Sequence, residues 1–179
     1  GSAVIDGLAV DTELRWTLLH RLVSRGMAGP ERIDAELAND RTDAGERHAI
    51  MARAAIPSPE AKTRAWERIT GGDLPNATFR AALDGFQDLD QEELVAPFAE
   101  PFFESLAGIW RDWSPDMAQY FAQGAYPVTA VSHEALARTD AYLEQASPPA
   151  ALRRLLIEDR DDVARQLRCR QRDSQDASS

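Results

Sequence analysis

Only one cysteine occurs in the 179 residues, Cys169, so no disulfide can close within the chain. That scarcity permits a thiol-reducing compartment, and a cytoplasmic location is the expectation. Positive charge is also scarce: 20 Lys and Arg stand against 30 Asp and Glu, a formal net charge of −10. A nucleic-acid-binding face is normally basic, so no nucleic acid is expected as a partner. No apolar run approaches the ~18–20 residues of a membrane span, and no charged-then-apolar leader opens the sequence. No membrane partner is expected either. β-branched residues are few, 7 Val, 7 Ile and 8 Thr, against 30 Ala. Ala is the best helix former and β-branched residues favour strands, so the expected fold class is all-α.

What is present is a regular series of helix starts. Asp11 can cap a helix over 12–25 that Gly26 ends, and Pro30 opens a second over 30–39. Thr42 can cap a third over 43–55, and Ser58-Pro59 opens a fourth to Ile69. Asn76 can cap a fifth to Phe86, and Asp90 a sixth, with Glu93 completing a capping box. Ser114-Pro115, Ser132 and Ser147-Pro148 open three more, ending near Ala125, Gln145 and Arg170. Such side chains satisfy orphan amides, and proline needs no donor in a first turn. Pro97 and Pro101 interrupt the apolar stripe Leu94, Phe98, Phe102, Leu106, Trp110, so a kink or break is expected there. On the first helix, Leu14, Leu18 and Leu22 form one stripe and Trp16, Leu19 and Val23 another, which predicts burial on two sides.

The helices pair with starts near 11, 42, 76, 114 and 147, a spacing of roughly 31–38 residues, close to that of helix-pair repeats. The reading is an α-solenoid of antiparallel helix pairs, HEAT/armadillo-like, with about nine helices. A plain helical bundle is the alternative. Gly1-Ser2 reads as the scar of a cleaved expression tag, residues 3–172 as the helical domain and 173–179 as a disordered polar tail.

Catalytic templates are missing. His133-Glu134 begins a zinc-peptidase helix pattern, but position 137 is Ala, so the second imidazole is absent. The pair reads as first-turn residues beside the Ser132 cap. His48 lies on the apolar stripe of its helix and reads as a satisfied, partly buried histidine. Cys169 sits near a helix C-terminus, where the dipole disfavours thiolate, and reads as an incidental thiol. Asp159, Asp161 and Asp162 lack the glycine turn of a calcium loop and read as a solvated face. Trp66, Trp110, Trp113, Phe98, Phe102, Phe103, Tyr120 and Phe121 have helical spacing and read as inter-helix core, with a peptide groove as the alternative. The basic run Arg165, Arg168, Arg170 and Arg172 complements a helix C-terminus.

Several stretches carry a resemblance. They are Leu8-Ala-Val-Asp-Thr-Glu-Leu-Arg-Trp16, Ala38-Asn-Asp-Arg-Thr42, Gly45-Glu-Arg-His48, Ala61-Lys-Thr-Arg-Ala-Trp66, Leu94-Val-Ala-Pro-Phe98 and Ala125-Tyr-Pro127. In this order they resemble the C-terminal helical domain of aminopeptidase N enzymes of the M1 zinc metallopeptidase family, particularly the actinobacterial type. Abundant Arg with a single Lys, Lys62, fits a GC-rich genome. The resemblance spans about residues 4–172. It implies a non-catalytic domain that packs on the catalytic domain of the same parent chain and encloses the cavity for peptide substrate. The parent's HExxH and GxMEN segments are absent here. No catalytic or metal-binding residue carries over, no cofactor is expected in this chain, and zinc belongs to the parent's catalytic domain. The isolated chain is thus expected to hydrolyse nothing, while the parent releases N-terminal amino acids. Arg64, Arg80 and Arg111 are candidates for the substrate channel, where a guanidinium can hold a peptide carboxylate. A domain of this kind should expose its former interface as an apolar patch. The alternatives are an independent helical-repeat interaction scaffold, and a helical regulator binding a small molecule in an apolar pocket or an enzyme of unfamiliar type.

Overall fold

The computed structural model describes residues 11–126 and 131–176. Gly1-Ser2 and the last residues of the tail, 177–179, lie outside them. Every regular element among the described residues is helical. The helices are α1 (Thr12–Ser24), α2 (Pro30–Asn39), α3 (Asp43–Ala54), α4 (Pro59–Thr70), α5 (Asn76–Phe86), a single turn α6 (Glu92–Val95), α7 (Ala99–Asp112), α8 (Pro115–Gly124), α9 (His133–Gln145) and α10 (Ala150–Asp176). The protein is therefore all-α, as composition and spacing predict. The chain forms two compact units, 1–88 and 89–179.

In the first unit, sequential helices pack in pairs, and α3 also packs on α1 and α5. Contacts to both the next helix and the next but one are those of stacked helix hairpins, the packing of an α-solenoid. Its core begins with Trp16, Leu19, Val23, Ile33, Ala49 and Ala52. It continues through Trp66, Ile69, Phe79, Leu83 and Phe86. The closest packing is between α3 and α5, where a Cβ on Gly85 would run into the carbonyl of Met51. Glycine at 85, with Ala49, Ala52 and Ala82 buried nearby in sequence, lets two backbones approach.

In the second unit α7 packs on α8, and α10 packs on α8 and α9. Phe102 is fully buried at the centre of an aromatic cluster. Its ring lies 5.6 Å from Phe121, 5.7 Å from Tyr126 and 5.1 Å from Phe103, centroid to centroid. The Tyr126 hydroxyl shares a 2.8 Å hydrogen bond with Thr139, so this buried polar pair is satisfied. Leu152, Leu155, Leu156 and Val163 give α10 its buried stripe.

Most ends follow the expected chemistry. Asp11, Thr42, Ser58, Ser114 and Ser132 each accept from a first-turn amide. Gly26 has a positive φ of 69°, and the Gly26 and Met27 amides donate to Val23 and Leu22. That pair of bonds is a Schellman closure, so Gly26 ends α1 for a conformational reason.

The differences also have causes. Asn76 is the first residue of α5 and Pro75 occupies the cap position without a side-chain bond. Asp90 falls in a short 3-10 turn, Leu89–Gln91, and α6 begins two residues later, at Glu92. The stripe from Leu94 to Trp110 breaks at a second 3-10 turn, Ala96–Phe98, and restarts as α7. Pro97 and Pro101 thus both sit in first turns, where the missing N–H costs nothing. Ser147, at φ 44°, is no cap, and α10 starts at Ala150. It runs to Asp176 because no Gly or Pro intervenes after Arg170. On α1 only the Trp16, Leu19, Val23 stripe is buried; Leu18 and Leu22 remain 48% and 37% exposed. Within this chain, then, one stripe is core and the other, with Leu14 half-buried, is left partly exposed.

Candidate functional site

Metal-ligating side chains do not converge. Among the described residues no three His, Cys, Asp or Glu side chains are grouped to hold an ion. His20, His48 and His133 sit on α1, α3 and α9. His48 stacks on Trp16 at 5.5 Å and lies 3.3 Å from Glu13, a partly buried and satisfied histidine. His133 is exposed in the first turn of α9, and its neighbour Glu134 pairs with Arg138 at 3.0 Å. His20 is held below its ordinary pKa, mainly by burial and then by Arg21, Lys62 and His48 against the opposing pull of Asp88. These scattered donors do not fit a zinc ion.

Trp16, Asp40 and Thr42 form a small polar network. The Trp16 indole donates to Asp40 at 2.9 Å and the Thr42 hydroxyl donates to Asp40 at 2.7 Å. Those bonds, Thr42 first and Trp16 second, hold the Asp40 carboxyl below its usual range. Thr42 in turn accepts from the Gly45 amide, and a Cβ at Gly45 would strike Asp40. The Ala38–Thr42 and Gly45–His48 stretches are therefore one structural device that fixes the α2–α3 corner.

Lys62 is fully buried. Its ammonium donates to the carbonyls of Ala54 at 2.9 Å and Phe86 at 2.8 Å, with Gly85 at 3.5 Å. Ala54 ends α3 and Phe86 ends α5. One cation thus satisfies the C-terminal carbonyls of two helices, where the dipoles favour positive charge. Burial pulls its pKa down to about 8, with Asp88 opposing. The single lysine of an Arg-rich chain was the sequence signal for this site. A compact ammonium reaches carbonyls that a planar guanidinium would not fit.

The three candidate arginines fare differently. Arg111 is exposed and spends its guanidinium on Asp112, with bonds of 2.8 and 2.7 Å. Arg80 is exposed on α5 and acts electrostatically on Asp84, whose carboxyl burial pushes up. Arg64 lines a pocket of about 300 Å³ in the first unit, together with Arg53 and Arg68. Arg64 and Arg80 belong to the first unit and Arg111 to the second. Sequence reasoning missed Arg53 and Arg68; the four-residue spacing of Arg64 and Arg68 on one helix was the available signal.

In the second unit Asp159 departs from its expected role. Asp161 and Asp162 are exposed, but Asp159 has a buried carboxylate oxygen with no hydrogen-bond partner among the described residues. Burial, with the charges of Asp162 and Glu158, raises its pKa to about 7. Trp66, Phe102 and Phe121 are buried as expected for core. Trp110, Trp113, Phe98, Phe103 and Tyr120 are half-buried.

Comparison with known proteins places this all-helical chain in a family. The family model described as the ERAP1-like C-terminal domain matches residues 2–165. An aminopeptidase N of Streptomyces lividans is 49% identical over 175 residues, covering 97% of this chain and 20% of that protein. The chain thus spans about a fifth of the length of that curated relative. A family match over nearly the whole of an all-helical chain shows that it belongs to the ERAP1-like C-terminal domain family, as the C-terminal domain of an aminopeptidase N family protein.

Proposed function

We propose that this domain serves a zinc-dependent aminopeptidase by walling the cavity that holds its peptide substrate, and that it does no chemistry itself. The supporting observation is the 49% identity to one fifth of an aminopeptidase N, in a chain lacking HExxH and GxMEN. The parent removes N-terminal residues from peptides in the cytoplasm, using zinc bound elsewhere in its chain. The partner of this domain is the catalytic domain of that same chain.

A candidate contact face supports this reading. Leu18 and Leu22 on α1, with Met27 just beyond it at 72% exposure, form an apolar strip on the first unit. Large exposed apolar groups cost solvation, and burial against the rest of a longer polypeptide removes that cost. The experiment compares the whole protein with this 179-residue chain on amino-acid amides. The whole protein should release the amino acid, and a chelator should stop it; the chain alone should release none. Chelator-sensitive hydrolysis by the chain alone would sink the proposal.

A further inference from the structure

The pocket containing Arg64 lies where α2, α3, α4 and α5 meet, entirely within the first unit. Its walls include Ile50, Ile56 and Ala65, and its charged groups are Arg53, Arg64 and Arg68. Small side chains at this helix junction leave the space open. The lining side chains supply no polar group except guanidinium. Arg53 is bonded to Asp34 at 2.6 Å. Arg64 and Arg68 have no ion-pair partner among the described residues, although the chain carries ten more acidic than basic side chains. Two uncompensated guanidiniums beside an apolar hollow in so acidic a molecule are a local reversal of its charge.

We infer that this pocket binds a small aliphatic carboxylate, with its hydrocarbon tail against Ile50, Ile56 and Ala65 and its carboxylate between Arg64 and Arg68. The volume is at the low end of ligand pockets, which run from ~300 to ~1,000 Å³, so one small molecule is the fitting occupant. A carboxylate matches the planar fork of a guanidinium, and the pairing strengthens beside apolar walls. A peptide segment fits less well. The walls are mainly helix sides, whose amides and carbonyls are already used within the helices. A bound peptide backbone would leave its own polar groups unsatisfied there. An aliphatic acid brings no such groups. This inference is independent of the aminopeptidase reading, since it concerns a site inside one unit of this chain.

The test is an amide NMR titration of the 179-residue chain with octanoate, octanamide and octylamine. Octanoate should shift the amides of α3 and α4 and saturate. Octanamide should bind about tenfold more weakly, because it lacks the charge-assisted bond. Octylamine should leave those amides unmoved. The double variant Arg64→Gln, Arg68→Gln replaces exposed side chains and should keep its helical circular dichroism while losing about tenfold in octanoate affinity. Ala65→Leu, which fills the hollow without touching charge, should also weaken binding. The inference is overturned if octanamide binds as well as octanoate, or if the arginine variant binds normally. Absence of any shift on α3 and α4, or tighter binding of an acetylated peptide ending in leucine, would overturn it equally.

Discussion

At the scale of single residues, burial decides what each charged group does. Lys62 and Asp159 are both taken from water, but their surroundings differ. Lys62 finds three carbonyl acceptors at two helix ends. Asp159 has an oxygen with none among the described residues. Its carboxyl titrates near 7 in the folded chain, against an ordinary value of 3.8. The folded state therefore holds the proton more tightly than the unfolded state between those two pH values. Stability from the neutral acid is complete below the unfolded pKa and is lost as pH rises through about 7. Asp159→Asn removes the charge while keeping the shape. It should raise the melting temperature at pH 8 and change it little near pH 4. The gain at pH 8 should be about 1–2 kcal/mol, allowing for solvent screening of a partly exposed group. Equal effects at both pH values would show that charge is not the cause.

At the scale of elements, backbone approach between α3 and α5 is the most demanding feature. Gly85 faces the Met51 carbonyl with no room for a methyl group. Gly85→Ala should therefore push the helices apart and cost about 2–3 kcal/mol, despite alanine's better helix propensity. A urea midpoint unchanged from the parent chain would refute this. Much of the element order was legible because caps and prolines act locally. Asp11, Thr42, Ser58, Ser114 and Ser132 each bond an amide three residues away, so sequence carries the whole interaction. Ser147 failed because chain direction there is set by a positive φ, which depends on tertiary packing. The second stripe of α1 failed for a related reason. Periodicity reports that a face is apolar, not that another element covers it. The pocket was legible through Arg64 and its helical neighbour Arg68, whereas Arg53 on α3 reaches the same hollow only by way of the fold.

At the scale of the whole molecule, the question is which surface this domain offers to the rest of a longer polypeptide. The apolar strip of Leu18, Leu22 and Met27 is the relevant surface. Leu18→Ser with Leu22→Ser should cost this chain about 1–2 kcal/mol, because more than half of each residue is covered even without a contact beyond this chain. The same pair in the whole protein should lower its melting temperature further and, on the proposed function, its release of N-terminal residues as well. A whole protein indifferent to both substitutions would exclude this strip as the contact face. The net charge of −10 makes long-range attraction to cations a property of the molecule as a whole, screened beyond about 8 Å at physiological salt.

The burial of Lys62 also has a practical consequence. It is the chain's one lysine and has no exposed surface, so an amine-acylating reagent finds no lysine side chain on the folded protein. Acylation at residue 62 needs α3, α4 and α5 to separate. Its rate is then a clock for the opening of the first unit, read by mass at one peptide, with no mutation and no attached probe.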